Sequence, residues 1–367
     1  MRLRREHGIT AALGISVVLA FVDLGWSYTL HYKLPQPDFF VYYLAAQLGR
    51  AHGWAAIYDP SLFLPAVTHA VGKPLPYLNP PEVAWLVLPL SYLPYGLAGW
   101  IWTGLLAGAF GLIWYLIAPG HGLTRVIHGV GAAALLPVFV GVLFGQVSLI
   151  VVAAVALSWW LLSHGRPWLA GLALSALILK PQIAFLVPVA LLLSGYWRVV
   201  LAWLAVSAPL AIITLLVVGT GVFHHILQSL DAVNGVPGPI QSSLLRQLPL
   251  GLALVGIAMV LAVSGVILWR ARGSGPSLPI AVGLISSVLV SPYVNFYDLS
   301  ALVLAGWLIL RMNPARWQKA VTLGMYVPLY GAPIWPLLTL ACVCGWLISL
   351  ALLPTRTRVI GSRRAAA

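Results

Sequence analysis

The sequence has few charged residues, and very few of them are acidic. Its 367 residues include seven Asp and Glu against twenty Lys and Arg, and charged residues make up 7% of the chain. Because a soluble domain carries about 25% charged residues, this composition excludes a soluble globular protein. With 61% hydrophobic residues and a mean hydropathy of +0.98, most of the surface is expected to face lipid.

The sequence also lacks the signatures of common soluble enzymes. It has no Gly-x-x-x-x-Gly-Lys-Ser/Thr loop, no Gly-x-Gly-x-x-Gly and no His-Glu-x-x-His. Cys342 and Cys344 are two residues apart in an apolar run, where they do not face each other on a helix, so neither a disulfide nor a metal pair is expected. His224 and His225 are interpreted as solvated loop residues. No cofactor is predicted, and a role for a divalent metal is left open.

Long apolar runs predict an all-α polytopic membrane protein. About 20 apolar residues cross a bilayer as a helix, so the chain is expected to hold about 12 transmembrane helices, in a range of 10–12, within a single integral membrane domain, residues 1–367. The candidate spans are about 9–30, 82–93, 96–118, 125–143, 147–163, 168–194, 198–219, 248–270, 279–291, 297–311, 320–332 and 335–353.

The basic residues indicate how the chain crosses the membrane. Thirteen of the twenty Lys and Arg lie in five short segments between apolar runs, as the positive-inside rule expects of cytoplasmic loops. This pattern favours membrane topology over nucleic-acid binding as the cause of the net charge of +13. Two long loops, 31–81 and 220–247, are then on the outer side with most of the acidic residues. We therefore expect polar chemistry at the outer face.

One carboxylate, Asp38, stands just outside the first predicted span among aromatic residues. Residues 39–53 contain no proline and predict a short helix along the membrane interface, with its aromatic side chains at headgroup depth. At the N-terminal end of this helix, Asp38 is favoured by the helix dipole and is a candidate catalytic base. The alternative is that Asp38 only caps the helix.

A lysine in an apolar segment is the second unusual charge. Lys180 lies near the middle of segment 168–194, beside Pro181, which is expected to break the helix. A charge at that depth is costly unless it faces a cavity or a partner. We interpret Lys180 as a binder of an anionic headgroup; the alternative is a snorkelling or internally paired lysine.

In chain order, the polar segments resemble glycosyltransferase family 87. The motifs are Asp-x-x-x-Tyr-Tyr-x-Ala-Ala, Tyr-Asp, Pro-Pro, Gly-Gln-Val, Arg-Pro-Trp-x-Ala-Gly, Lys-Pro-Gln and Ser-Pro…Tyr-Asp, over about residues 36–310. This family includes mycobacterial polyprenyl-phosphate-mannose-dependent α-1,2-mannosyltransferases. The resemblance implies the GT-C fold class, a multi-pass protein of the bacterial inner membrane, an active site facing the periplasm, a polyprenyl-phosphate-linked donor and Asp38 as general base. Where some members carry histidines after the Ser-Pro, this chain has Tyr293, Asn295 and Tyr297.

The residues themselves agree with this expectation. The chain has no domain for a cytoplasmic nucleotide sugar, so an outward-facing transferase must take its sugar from a lipid carrier. The acceptor hydroxyl needs a base within hydrogen-bond reach, and the carrier phosphate needs a cation. We expect an inverting transfer to a lipid or glycan acceptor at the membrane lipids and the cell envelope, with Asp38 as the base. The resemblance implies a mannose-like hexose as the sugar. The predicted donor- and substrate-binding residues are Lys180, Arg246, Tyr42, Tyr43, Asn79, Gln146, Asn295 and Asp298.

A lipid or solute transporter of the cell envelope is the alternative from another class. Asp38 and Asp298 would then guard an outer gate, and Lys180 would be a substrate site within the membrane. A transporter needs polar groups on a path to the inner face, whereas this chain places nearly all its acidic residues outside. The transferase is therefore the favoured hypothesis.

Overall fold

The protein is all-helical. The structure, a computed structural model, describes residues 12, 14–20, 22–25, 33–221 and 242–353. The helices are α1 (Gly14–Gly25), α2 (Pro37–His52), α3 (Pro60–Val71), α4 (Pro81–Val87), α5 (Tyr95–Ile117), α6 (Leu123–Ala133), α7 (Leu136–Phe144), α8 (Ser148–Ser163), α9 (Pro167–Leu174), α10 (Leu186–Leu193), α11 (Trp197–Val218), α12 (Leu244–Gln247), α13 (Leu250–Arg270), α14 (Ser277–Val290), α15 (Ala301–Arg311), α16 (Arg316–Gly324), α17 (Tyr326–Tyr330) and α18 (Pro336–Leu350). Short 3-10 helices occupy Trp54–Tyr58, Leu88–Tyr92, Ser175–Leu179, Pro181–Ile183 and Phe296–Ser300.

Several features discussed above lie outside the described residues. They are the basic groups at both termini, which include Arg2 and Arg364, and the centre of the second predicted outer loop with His224 and His225. Helix α1 covers the middle of the predicted first span, 9–30.

Three helices are long and apolar enough to cross a membrane: α5, α11 and α13. Helices α6 and α7 together pass the same test but are bent by 61°, so the described residues hold three or four candidate spans by length and composition. The three long helices agree with the predicted spans 96–118, 198–219 and 248–270. They expose large apolar side chains, including Trp100 (76%) and Leu216 (80%), as lipid-facing surfaces do. The protein is a membrane protein, and the total of twelve spans stays a prediction.

Some predicted spans are interrupted in the structure. Segment 168–194 consists of α9, two 3-10 helices and α10, and its central break lies at Lys180 and Pro181, as the proline predicts. Segments 82–93 and 320–332 are each divided into two short helices. The break in segment 168–194 is the predicted one. As single continuous helices the predicted spans 82–93 and 320–332 are wrong, and in 82–93 Pro89 lies at the break.

Helices α14 and α15 form the centre of the molecule. Twelve of the 14 residues of α14 and nine of the 11 residues of α15 are buried, as expected of a helix that is apolar on every side. Helix α14 packs against α10, α13 and α15. The segment that joins α14 to α15, residues 291–300, therefore starts and ends in the protein core, and it carries Asn295 and Asp298.

Helix α2 is packed into the protein. It begins at Pro37, a residue suited to the first helical position, and ends before Gly53, whose φ is 89°. Phe39 is fully buried, and its ring centroid lies 5.2 Å from that of Trp102 and 5.9 Å from that of Tyr95, both in α5. The predicted helix is confirmed. Aromatic residues of α5 cover Phe39 and Tyr43, and the depth of these side chains relative to the headgroups stays a prediction.

Candidate active site

The candidate site is built around the turn between α7 and α8. Gly145 in this turn has a φ of 76°, which favours glycine, and a Cβ atom there would lie 2.5 Å from the Cβ of Phe39. The Trp102 indole donates a hydrogen bond to the Gly145 carbonyl at 2.8 Å. This close approach between the turn and α2 brings Gln146 next to Asp38.

Asp38 lies in the first turn of α2 and does not cap it. The N-cap position belongs to Gln36, with a φ of 54°, and no side chain caps the helix. The alternative that Asp38 is an N-cap is therefore wrong. Its Oδ2 accepts a hydrogen bond from Gln146 Nε2 at 2.5 Å, whereas its Oδ1 has no hydrogen-bond partner among the described residues. Gln146 Oε1 in turn accepts a hydrogen bond from Tyr42 at 3.0 Å.

Lys180 is paired inside the protein. Its Nζ lies 2.6 Å from Asp298 Oδ1 and donates to Gln146 Oε1 at 2.7 Å and to Ser148 Oγ at 3.0 Å. Lys180 is 3% exposed and Asp298 is fully buried. An ammonium group has three N–H donors, and these three acceptors use all of them. Lys180 thus matches the internally paired lysine that the sequence left as an alternative.

Asp298 is held by the segment between α14 and α15. Its Oδ1 also accepts a hydrogen bond from Ser148 Oγ at 2.7 Å, and its Oδ2 accepts one from the Asn295 backbone N–H at 3.1 Å. The Asn295 side-chain amide donates to the hydroxyls of Tyr293, at 2.9 Å, and Tyr297. Asp298 is therefore a buried carboxylate with a cation and several donors around it, as buried charges require.

Removal from water is the main electrostatic influence on Asp38. Removal from water raises the pKa of the Asp38 carboxyl to about 6, and the negative charge of Asp298 adds to this rise. The hydrogen bond from Gln146 and the charge of Lys180 lower the pKa and oppose the rise. A carboxylate with a pKa near the operating pH is suited to accept a proton during a reaction.

Arg246 lies at the edge of the same cluster. It is half-buried in α12, and its Nε donates a hydrogen bond to the Pro292 carbonyl at 3.2 Å. Burial raises the pKa of the nearby Tyr293 hydroxyl, the charges of Asp298 and Asp38 raise it further, and the charge of Arg246 lowers it. Arg246 therefore acts on the same small region as the two carboxylates.

Two predicted site residues lie apart from this network. The Tyr43 hydroxyl donates to the Leu93 carbonyl at 2.8 Å, and its ring contacts Tyr95 edge-on with centroids 5.5 Å apart. The backbone carbonyl of Asn79 accepts a hydrogen bond from the Tyr58 hydroxyl at 2.8 Å. Neither side chain makes a described contact with the Asp38 network.

Ser148 is a further site residue that was not predicted, although it lies two residues after Gln146, directly after the Gly-Gln-Val motif. Its hydroxyl contacts both Lys180 and Asp298, and the helical start at Ser148 places it beside them. The polar sequence between two apolar runs was the available signal. Within the described ranges, no group of three or more His, Cys, Asp or Glu is placed to bind a metal ion.

The sequence matches the model of a known family. Glycosyltransferase family 87 matches residues 77–292, which is more than half of the chain. Neither the curated proteins nor the solved structures contain a match. The matched range is narrower than the 36–310 of the motif resemblance; it includes Gln146, Lys180 and Arg246 and ends before Asp298, while Asp38 precedes it.

Proposed function

The chain belongs to glycosyltransferase family 87, and from this membership we propose that it transfers a sugar from a polyprenyl-phosphate-linked donor to a hydroxyl group of a lipid or glycan acceptor. The observation that supports the site most directly is the geometry of Asp38, a carboxylate whose Oδ2 is held by Gln146 while its Oδ1 has no partner among the described residues. A mannose-like hexose is proposed as the sugar from the motif resemblance, and the outer face of the membrane as the side of transfer from the basic segments.

The membrane setting supports a lipid-linked donor. Helices α5, α11 and α13 expose apolar side chains, against which a polyprenyl chain can lie. The carrier phosphate needs a cation, and the three N–H donors of Lys180 are used within the protein. We therefore propose Arg246 as the residue that binds the phosphate, because a planar guanidinium can donate two parallel hydrogen bonds to it.

Asp38 acts as the general base in the proposed reaction. Its Oδ1 takes the proton from the acceptor hydroxyl as the acceptor oxygen bonds to the anomeric carbon. The bond between this carbon and the phosphate oxygen breaks, and polyprenyl phosphate leaves with the electron pair. Asp298 is bound to Lys180 and does not act as a nucleophile. One base without a nucleophile gives single displacement with inversion, by analogy with inverting glycosidases, so a β-linked donor gives an α-glycoside.

A transfer assay with purified protein in detergent tests this proposal. The donor is polyprenyl-phosphate-linked radiolabelled mannose, and the acceptors are an extract of envelope lipids and glycans. We expect label to enter a new product from the lipid-linked donor and not from a nucleotide-linked mannose. Transfer from the nucleotide sugar would contradict the donor class, and the absence of transfer from mannose and other lipid-linked sugars would contradict the proposed function.

The rate of transfer is expected to depend on pH in the direction set by Asp38. A general base must be deprotonated, so kcat/KM should stay level above the Asp38 pKa of about 6 and fall about tenfold per pH unit below it. Initial rates between pH 4.5 and 8 measure this profile, with size-exclusion chromatography at each pH as the control for intact protein. A profile that is flat through this range, or that falls as pH rises through 6, would contradict the assignment.

A further inference from the structure

The side chain of Gln146 connects the two charged parts of the cluster. A side-chain amide can in general be turned by 180°, which exchanges its oxygen and nitrogen. Here Lys180 Nζ, at 2.7 Å, and the Tyr42 hydroxyl, at 3.0 Å, both donate to Oε1. An ammonium group has no acceptor, so the oxygen end of the amide must face Lys180. The NH2 end therefore faces Asp38 Oδ2.

The position of Lys180 is itself fixed. Its Nζ is held by the buried carboxylate of Asp298 and by Ser148, and Ser148 also donates to Asp298. These contacts form a hydrogen-bond network with defined donors and acceptors, which runs from Asp298 through Lys180 and Gln146 to Asp38. Among the described members of this network, Gln146 is the one that contacts both Asp38 and Lys180.

We propose that Gln146 is a positioning residue for Asp38 and not a binder of the donor sugar. Its NH2 group holds Oδ2, which leaves Oδ1 directed to the acceptor hydroxyl, and Lys180 with Tyr42 sets the orientation of the amide. The inference rests on the proposed role of Asp38 as the base. Gln146 exchanges no proton in this scheme; it controls the direction and the proton affinity of the Asp38 carboxylate.

The fall in transfer rate at low pH, called here the acidic limb of the pH profile, reports on Asp38 and not on the groups near it. The titratable side chains whose charges act on or with Asp38 are Lys180, Asp298, Tyr42, Tyr95, Tyr293 and Tyr297. Tyrosine titrates near pH 10 in water, and Lys180 and Asp298 are bound to each other. A change in the limb near pH 6 therefore reports a change at Asp38.

Two substitutions of Gln146 test the inference. Gln146→Met keeps the length of the side chain and removes its hydrogen bonds. We expect kcat to fall about tenfold or more and the acidic limb of the pH profile to move to higher pH by about half a unit or more. The donor KM should change less than twofold. Gln146→Glu keeps an acceptor for Lys180 but puts a negative group beside Asp38, so its limb should move further. The matched control is Gln318→Met, because Gln318 is also buried and hydrogen-bonded, to Ser349 and Ala315.

A second measurement separates this inference from the proposed function. The pH dependence of Asp38 modification by a hydrophobic carbodiimide, read by mass spectrometry, gives its pKa without any substrate. A higher modification pKa in both Gln146 variants supports positioning even where no sugar transfer is found. An unchanged modification pKa would overturn the inference even in an active enzyme, as would a raised donor KM with an unchanged pH profile. If Gln146→Met does not fold, Gln146→Glu alone carries the test.

Discussion

Replacing Asp38 with asparagine is expected to lower the transfer rate at least about 100-fold, because a positioned general base contributes roughly 10²–10⁴-fold to a rate. Asparagine has the same size, and its oxygen can still accept the hydrogen bond that Gln146 Nε2 donates in the wild type. Folding and donor binding should therefore be retained, and only proton acceptance is lost. Initial rates with the lipid-linked donor, compared at equal protein concentration, measure the effect.

The matched control for this variant is Asp59→Asn. Asp59 is the N-cap of α3, where its carboxylate accepts a hydrogen bond from the Ser61 N–H at 2.8 Å, and asparagine caps a helix equally well. We expect a rate within about twofold of the wild type for this variant. If Asp38→Asn kept a rate within about threefold of the wild type, Asp38 would not be the base. If it were lost from the membrane fraction, its main role would be structural.

Replacing Lys180 with methionine is expected to lower the free energy of unfolding by about 3–5 kcal/mol, the range for removal of one partner of a buried ion pair. The change leaves Asp298 fully buried without its cation. Its Ser148 and Asn295 hydrogen bonds compensate only part of the charge. Thermal and denaturant unfolding in detergent measure the loss.

The double variant Lys180→Met with Asp298→Asn distinguishes ion pairing from a separate role of the lysine. Asparagine in place of Asp298 removes the buried charge and keeps an oxygen that can accept a hydrogen bond. We therefore expect the double variant to recover most of the free energy of unfolding that Lys180→Met loses. The surface control is Lys319→Met, since Lys319 is only partly buried and its hydrogen bond to Asn313, at 2.5 Å, is exposed; its effect should stay within about 0.5 kcal/mol. If the changes in the free energy of unfolding caused by Lys180→Met and by Asp298→Asn simply add in the double variant, Lys180 and Asp298 act independently.

The sequence predicted several elements because their causes are local. The proline-free run of residues 39–53 predicts most of α2, and Pro181 predicts the break beside Lys180. The long spans α5, α11 and α13 follow from length and hydropathy alone. Each of these features depends on residues within a few turns of one another, so a single sequence contains the necessary information.

Other features depend on contacts that the sequence does not reveal. Tyr42 and Tyr43 are neighbours with the same side chain, yet about 100° of helical rotation sends one to Gln146 and the other to the Leu93 carbonyl. The burial of α2 results from packing against α3, α4 and α5, which follow it along the chain. The pairing of Lys180 with Asp298 likewise requires the packing of α14 and α15, which is why the sequence favoured an anion-binding Lys180 over an internally paired one.

The ion pair at the centre of the cluster joins two residues that are made at different times. The ribosome adds Lys180 well before Asp298, and at about 5–20 residues per second the interval is roughly ten seconds. During that time the lysine is present without its counter-ion, and the chain from α2 to α11 has no means of completing the cluster. Asp298 therefore closes the network as a late step of biogenesis. A nascent chain that ends before Asp298 lacks the buried carboxylate that pairs with Lys180 in the finished protein, and removal of one partner of a buried ion pair is destabilising.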